Sequence, residues 1–253
     1  MKLIKHIITG MFIISFFLHC NKESGINTNA AANPNGAGGS TARFTIAGNY
    51  LYVVDHTSLK SFEIINQSNP VYKSKTEIGI NIETIFPYQD KLFIGSSSSM
   101  YIFSLTNPER PELLAKADYT IRMACDPVVA KDNVAYATLR ASGPCGGGQS
   151  ALVVYNITNI SSPTLVKTIL LWNPYGLGVK SNALYVCEGQ QGLTIFNTTD
   201  PYDPVAAGSI SNEIFYDVIP YGNILIGQIA GGFALYDIGT NPLQPVFLSK
   251  ILN

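Results

Sequence analysis

The sequence predicts an all-β fold, a five-bladed β-propeller of four-stranded antiparallel blades. One strand-and-turn pattern recurs five times between about residue 42 and the C-terminus. Its period of about forty residues is typical of one propeller blade. The composition is 46% hydrophobic and 13% charged, with 22 Gly and 14 Pro. These values indicate many short buried strands joined by tight turns.

Each copy opens with a short apolar strand that ends in a pair of turn residues. Pairs of this kind tolerate the positive φ that a two-residue hairpin loop requires. Each pair therefore predicts a hairpin between the first and second strands. The five pairs are Gly48-Asn49, Gln89-Asp90, Asp132-Asn133, Ser181-Asn182 and Gly222-Asn223.

The second strand alternates in character, and a turn of small residues then leads to a third strand that carries an aromatic side chain. These aromatic residues are Phe62, Phe103, Tyr155, Phe196 and Tyr236. A proline-rich turn opens the fourth strand, because Pro cannot donate to a sheet ladder and suits the start of a strand. The turns begin at Asn69-Pro70, Asn107-Pro108, Ser162-Pro163, Asp200-Pro201 and Asn241-Pro242.

Three stretches of the chain carry a resemblance to a known family. They are NYLYVVDHTSLKSFEI at 49–64, NALYVCEGQQGLTIFNTTDPYDPVAAGSI at 182–210, and YDVIPYGN with GGFALYDIGTNPLQPVFLSKI within 216–251. These stretches resemble LVIVD repeats, which are β-propeller repeats of bacterial and archaeal surface proteins. The resemblance covers the chain after about residue 42. It is weaker in copies two and three, where residues 96–99 and the 140–150 loop replace the usual turn.

Five complete blades follow one another in register. We expect them at about 42–80, 81–121, 122–172, 173–212 and 213–253. In this register the first blade has its own innermost strand, and the ring closes by packing of blade one on blade five. The alternative is that residues 44–48 act as a closing strand of the last blade.

The first twenty residues have the features of a secretory signal peptide. Lys2 and Lys5 precede an apolar run, 7–18, that is too short to span a bilayer. The ending Phe-Leu-His-Cys resembles a bacterial lipobox, although His19 stands where a small residue is usual. The resemblance predicts cleavage before Cys20 and lipidation of that residue. Cleavage at another site, or an uncleaved anchor, is the alternative.

Residues 21–41 are rich in Asn, Ala, Gly and Ser, and Ile26 is their one large apolar residue. Such a segment behaves as a flexible tether. The predicted location is therefore the cell envelope, with a lipid anchor, at the outer membrane or the cell surface. Removal of residues 1–20 takes away two Lys and no acidic residue, and the rest of the chain has no basic cluster. We therefore expect no nucleic-acid partner, and membrane contact only through the lipid.

In a propeller, the residues that enter the innermost strands surround the central channel at one face. Several of them are charged or aromatic, namely Arg43, Glu83, Asp126, Tyr175, Tyr216 and Asp217. Three carboxylates and a cation at this mouth could bind a polar ligand or a metal ion, or do acid–base chemistry. The alternative is that they are solvated polar groups that pair across blades.

The third copy is longer than the others by a loop, Arg140–Ser150, on the same face of the ring. Three consecutive glycines lie in it, but no Lys-Ser or Lys-Thr pair and no helix follows, which excludes a P-loop. We expect a disulfide between Cys125 and Cys145 of this copy. Cys187 remains as a third thiol, and a zinc site made of all three lacks the usual CxxC spacing.

Two aromatic residues, Trp172 and Tyr175, lie in the link between blades three and four. They could stack on sugars or anchor a protein partner, or else cover the seam between two blades. His56 follows the second strand of blade one on the same face. It is the one His outside the signal segment, and no Gly-x-Ser-x-Gly sequence occurs. Both observations disfavour a Ser-His-Asp triad.

Three functions remain open from the sequence. The first is a lipid-anchored binding module that presents its loop face and channel mouth to an extracytoplasmic protein or glycan. The second is a glycan-active hydrolase or lyase that uses the channel-mouth carboxylates. The third is a structural subunit of an envelope complex. We expect no cofactor, with a channel-bound metal ion as the alternative.

Overall fold

Five four-stranded antiparallel sheets stand in a ring in the computed structural model, and the chain is a five-bladed β-propeller. The structure describes residues 40–120, 127–142, 146 and 148–252, all within one compact unit. Over these residues every regular element is a strand, which confirms the predicted fold class. None of them forms a helix long and apolar enough to cross a membrane.

The strands are numbered in chain order. Blade one contains β1 (Phe44–Ala47), β2 (Tyr50–Val54), β3 (Ser58–Glu63) and β4 (Val71–Glu77). Blade two contains β5 (Ile82–Tyr88), β6 (Lys91–Ser96), β7 (Ser99–Ser104) and β8 (Glu112–Asp118). Blade three contains β9 (Val128–Lys131), β10 (Val134–Leu139), β11 (Ser150–Asn156) and β12 (Thr164–Leu171). Blade four contains β13 (Leu177–Lys180), β14 (Ala183–Cys187), β15 (Leu193–Asn197) and β16 (Val205–Ile210). Blade five contains β17 (Phe215–Tyr221), β18 (Ile224–Ile229), β19 (Gly232–Asp237) and β20 (Val246–Leu252).

Each strand pairs with the next along the chain, so every blade is an antiparallel meander. In blade one, Phe44 lies opposite Val53 and Ala47 lies opposite Tyr50. β1 therefore belongs to blade one, while β20 pairs with β19 inside blade five. The alternative in which residues 44–48 complete the last blade is wrong, because the blades exchange no strand.

The five predicted turn pairs share one backbone feature. The first residue of every pair has a positive φ, between 52° and 57°, at Gly48, Gln89, Asp132, Ser181 and Gly222. Glycine adopts this conformation without steric cost, whereas the three other residues have a Cβ that crowds the backbone. The turns therefore form as predicted, with strain stored at the three positions that lack glycine.

Replacing Ser181 by glycine is expected to raise the free energy of unfolding by about 0.5–1 kcal/mol. A left-handed conformation costs an L-residue roughly 1–2 kcal/mol, and the larger entropy loss of glycine offsets about half of that gain. Ser181 is exposed, so the change removes no packing. Urea titration measures the effect. The matched control is Asn182→Gly in the same turn, which is expected to destabilise the protein; equal effects of the two changes would contradict the prediction.

Four apolar cores lie between successive blades. In each core, an aromatic residue in the middle of the second strand of one blade shares a cluster with two residues of the next blade. The first of these two is an apolar residue of the next blade's second strand, one position before the middle of that strand. The second is the aromatic residue of the next blade's third strand. The sets are Tyr52 with Leu92 and Phe103, Phe93 with Ala135 and Tyr155, Tyr136 with Leu184 and Phe196, and Tyr185 with Leu225 and Tyr236. All twelve side chains are buried.

Three of these tyrosines also donate a hydrogen bond to the next blade. The acceptor is always the carbonyl of a proline in the turn that opens the fourth strand. The pairs are Tyr52 with Pro108 at 2.8 Å, Tyr136 with Pro201 at 2.8 Å, and Tyr185 with Pro242 at 2.6 Å. Burial raises the pKa of all three phenols, so they remain donors near neutral pH. The second-strand tyrosine and the proline-rich turn are thus two halves of one contact.

The junction between blades five and one differs from the other four. At the corresponding positions, Leu51 and Phe62 of blade one and Ile226 of blade five are only half-buried. We expected these two faces to close the ring by packing on each other. They are left partly open instead.

Candidate functional site

A cavity of about 200 Å³ lies at the mouth of the central channel. Its lining residues come from the segment before β1, from β5, from the start and the loop of blade three, and from the link between blades three and four. They are Thr41, Arg43, Glu83, Thr84, Pro127, Arg140, Pro174 and Tyr175. Four of the residues predicted from the sequence, Arg43, Glu83, Arg140 and Tyr175, are therefore brought together.

The backbone around Arg43 is fixed by its neighbours. Its carbonyl accepts a hydrogen bond from the Val54 N–H at 2.9 Å, and the carbonyl of Ala42 accepts one from Ile85 N–H at 2.9 Å. The first bond lies within blade one and the second reaches blade two. Arg43 is exposed and lines the mouth cavity from this ordered backbone.

Tyr175 is held by both blades that it links. Its N–H donates to the carbonyl of Cys187 at 2.7 Å, and its own carbonyl accepts from Thr138 Oγ1 at 2.6 Å. The Arg140 guanidinium carbon lies 4.2 Å from the centre of its ring, which is a favourable cation–π geometry. The ring of Tyr216 packs edge to face against the ring of Tyr175, with ring centres 5.4 Å apart. The aromatic pair thus positions Arg140 at the cavity wall.

Asp217 does not line the cavity, although we expected it at the open mouth. It is 7% exposed and accepts hydrogen bonds from Thr41 Oγ1 at 2.7 Å, Ser40 Oγ at 3.2 Å and Val218 N–H at 2.9 Å. Burial raises the pKa of its carboxyl. Asp217 is therefore an internal anchor for the segment that precedes β1.

Gly176 explains how Asp217 fits there. A Cβ at Gly176 would lie 2.0 Å from Asp217 Oδ1 and 2.9 Å from Asp217 Cα. The same glycine donates its N–H to the carbonyl of Tyr216 at 2.9 Å. Its missing side chain lets blades four and five approach at the mouth.

Two further predicted residues lie away from the cavity. Trp172 is 78% exposed, so the prediction that it covers a seam between blades is wrong, whereas the half-buried Tyr175 does pack against the core between blades four and five. His56 is also exposed, and its carbonyl accepts from Ile82 N–H at 3.0 Å.

Sequence reasoning missed Glu188, a buried acid that accepts from Trp172 N–H at 3.1 Å and Thr194 Oγ1 at 2.7 Å. No local sequence pattern predicts the burial of Glu188, because its hydrogen-bond partners are a backbone N–H and a hydroxyl group.

Other sequence predictions fall on residues that the structure does not describe. Cys20, Cys125, Asp126 and Cys145 lie outside the described residues, so the lipid anchor, the disulfide and the third carboxylate stay predictions. Cys187 is described as a free, buried cysteine, and burial raises the pKa of its thiol. Within the described part of the chain, no group of three or more His, Cys, Asp or Glu side chains could hold a metal ion.

The described ends of the 140–150 loop are tied to blades three and four. Ser150 Oγ accepts from Ala141 N–H at 3.0 Å, and Ser142 Oγ donates to Asn173 Oδ1. Arg140 therefore leaves an ordered strand end. Arg140, the first residue of the loop, lines the cavity.

A larger cavity of about 540 Å³ lies at the opposite end of the channel. It is lined by β13 and by the C-terminal parts of β5, β9 and β17, with Lys131 and Lys180 as its charged residues. Lys131 pairs with Asp132, and most of the wall is backbone and apolar side chain. The mouth is the stronger candidate because charged and aromatic groups of several blades converge there.

One family model matches part of the chain. Residues 38–76 match the LVIVD repeat. That span covers blade one, where the sequence resemblance to LVIVD repeats was also strong. No curated protein matches the chain significantly.

Several solved structures are similar to this chain in fold. A computationally designed protein is 10% identical with a TM-score of 0.58, over 82% of this chain and 60% of its own. A functionally unknown protein from Desulfotomaculum acetoxidans is 14% identical with a TM-score of 0.63, over 81% and 67%. The periplasmic gluconolactonase of Pseudomonas aeruginosa is 14% identical with a TM-score of 0.62, over 81% and 68%. The chain thus spans 60% of the first protein's length and about two thirds of the others', and at these identities the likeness shows the fold alone.

Proposed function

We propose that this propeller is a binding module of the cell envelope, tethered through a lipid on Cys20. In this proposal the channel mouth binds an acidic group that is presented by an extracytoplasmic protein or glycan. The observation that carries it is the mouth cavity, where Arg43, Glu83, Arg140 and Tyr175 converge. Residues far apart in the chain meet there on one loop face.

The charges of the cavity favour an acidic ligand. Two arginines and one glutamate line the cavity, and arginine binds carboxylates through two parallel hydrogen bonds. Tyr175 adds an aromatic face of the kind that packs against sugar rings and other flat groups. A volume of about 200 Å³ is below the usual 300–1,000 Å³ of small-molecule sites. It suits one acidic unit of a larger partner, such as a uronic acid or an acidic side chain.

The proposed location is supported by the sequence. The apolar run with its lipobox-like end, followed by a polar tether, is the arrangement of a lipid-anchored envelope protein. The match to the LVIVD repeat in residues 38–76 agrees with a propeller of this class. The structural likeness to a periplasmic gluconolactonase supports the fold and carries no activity across.

The hydrolase or lyase alternative gains no support from the carboxylates. Glycoside hydrolysis requires two carboxyl groups that flank one bond. Glu83 lines the cavity, Asp217 is enclosed by Ser40 and Thr41, and Asp126 lies outside the described residues. A binding role needs no such pair.

Calorimetric titration of the full-length chain with glucuronate and with glucose tests the proposal. We expect glucuronate to bind, and glucose to bind at least tenfold more weakly, because a bond between charged partners contributes about 1.5–3 kcal/mol. Arg43→Gln and Arg140→Gln should each weaken glucuronate binding about tenfold or more. Lys180→Gln, at the other end of the channel, is the matched control and should change nothing.

A second arm separates the two sources of the acidic group. A short Glu-rich peptide is compared with the same peptide carrying Gln. Preference for glucuronate over the peptide identifies a glycan, and the reverse identifies a protein partner. Equal affinity for glucuronate and glucose, or no response to either arginine change, would refute acidic-group binding at the mouth.

A further inference from the structure

The two ends of the blade series present open apolar faces. On blade one, Phe44 is 62% and Ile46 46% exposed, beside the half-buried Leu51 and Phe62. The sheet pairs Ile46 with Leu51 and Leu51 with Phe62, so these side chains share one face. On blade five, Phe233 is 43% exposed beside Ile226 and Leu235, on the face that points away from blade four. Exposed apolar patches of this kind mark interaction surfaces.

The two faces are complementary by position in the repeat. In each of the four packed junctions, the residue equivalent to Ile226 in one blade shares a buried cluster with the residues equivalent to Leu51 and Phe62 in the next blade. The equivalents of Leu51 are Leu92, Ala135, Leu184 and Leu225, and all four are fully buried. The open face of blade five therefore matches one side of an inter-blade core, and the open face of blade one matches the other side.

Within one chain, the apolar faces of blades one and five are both exposed. The segment before β1 is held at the mouth, where Ser40 Oγ accepts from Leu177 N–H at 2.7 Å and donates to Asp217 at 3.2 Å. The start of blade one is thereby fixed beside blades four and five, while its apolar face stays exposed. The faces do not cover each other in this arrangement.

We propose that two copies of the chain associate head to tail, with blade five of one copy packed on blade one of the next. A second copy would cover the open faces with the same packing that joins successive blades at the four other junctions. A tyrosine–proline bond is missing at this seam, since Ile226 replaces the tyrosine. The junction between blades two and three also lacks a second-strand tyrosine, since Phe93 stands at that position, and its apolar cluster still forms.

A contact of this type joins two different surfaces, so each association leaves one free face at each end. The size of the assembly should therefore rise with concentration unless the ends meet. Light scattering coupled to size-exclusion chromatography measures it on the full-length chain. We expect the wild type to exceed the mass of a monomer and to dissociate on dilution.

Two charge substitutions on exposed residues test the faces separately. Phe44→Glu blocks blade one and Phe233→Glu blocks blade five, and each variant alone is expected to associate at least tenfold more weakly. An equimolar mixture should form a 1:1 dimer and nothing larger, because each variant keeps the face that the other has lost. Leu170→Glu, an exposed apolar site on β12 that is 60% exposed, is the matched control and should associate like the wild type. The N-terminal segment is the same in every sample.

Every other result overturns the proposal. A wild type that is monomeric at all concentrations means that the two faces stay open or close within one chain. Loss of association in Phe44→Glu with full association in Phe233→Glu means that identical faces meet. Dissociation of the Leu170→Glu control, or a mixture that stays monomeric, means that the contact is not between blades five and one.

Discussion

Replacing Tyr185 by alanine is expected to lower the free energy of unfolding by about 3–5 kcal/mol, the usual cost of removing a buried aromatic side chain. Tyr185 is fully buried and shares the core between blades four and five with Leu225 and Tyr236. Its hydroxyl also donates to the Pro242 carbonyl at 2.6 Å. The change opens a cavity at a junction and leaves that carbonyl without its donor.

Tyr185→Phe separates the two contributions. It keeps the ring and removes the hydrogen bond, so the expected loss is about 1–2 kcal/mol. Trp172→Ala, at a site 78% exposed, is the control and should stay within about 0.5 kcal/mol of the wild type. Urea unfolding with a common m-value measures all three. A Phe variant as unstable as the Ala variant would contradict the packing role of the ring.

The tyrosine–proline contact shows what the sequence could predict about the fold. The aromatic period, the turn pairs and the proline-rich turns are local patterns, because each reflects strand alternation or backbone dihedral preference. These patterns were enough to predict the number of blades, the order of the strands and the five positive-φ turns. They could not show that a tyrosine in one blade bonds to a proline turn in the next, since that bond joins residues about sixty positions apart.

The candidate site was predicted less completely, for the same physical reason. Propeller topology places the residues before each innermost strand around the axis, which brought Arg43 and Glu83 to one cavity. Topology does not determine which side chains stay solvated. Asp217 is buried and does not line the open mouth, because Ser40 and Thr41, 177 and 176 positions away in sequence, donate hydrogen bonds to it. The N–H of the exposed Trp172 donates to the Glu188 carboxylate, a contact that no spacing rule reveals.

Replacing Asp217 by alanine is expected to lower the free energy of unfolding by about 2–3 kcal/mol at neutral pH. Three donors lose their acceptor at once, namely Ser40 Oγ, Thr41 Oγ1 and Val218 N–H. The matched control is Asp203→Ala on an exposed ion pair with Lys167, where the expected change is below about 1 kcal/mol. Urea unfolding of both variants tests the comparison. Similar losses would mean that the buried carboxylate does not anchor the segment before β1.

Asp217→Asn turns the same residue into a test of its protonation. Because burial raises the pKa of Asp217 in the fold, the native state keeps a proton that the unfolded chain has already released. Between the ordinary aspartate pKa near 3.9 and the raised folded value, native protein therefore binds more protons, and its stability falls as pH rises. Above the folded pKa this contribution is constant. Asparagine does not titrate, so the wild type should gain stability relative to Asp217→Asn as pH falls through that window. Other titrating groups cancel in this difference, and a difference that does not vary with pH would show that the carboxyl titrates alike in the folded and unfolded chain.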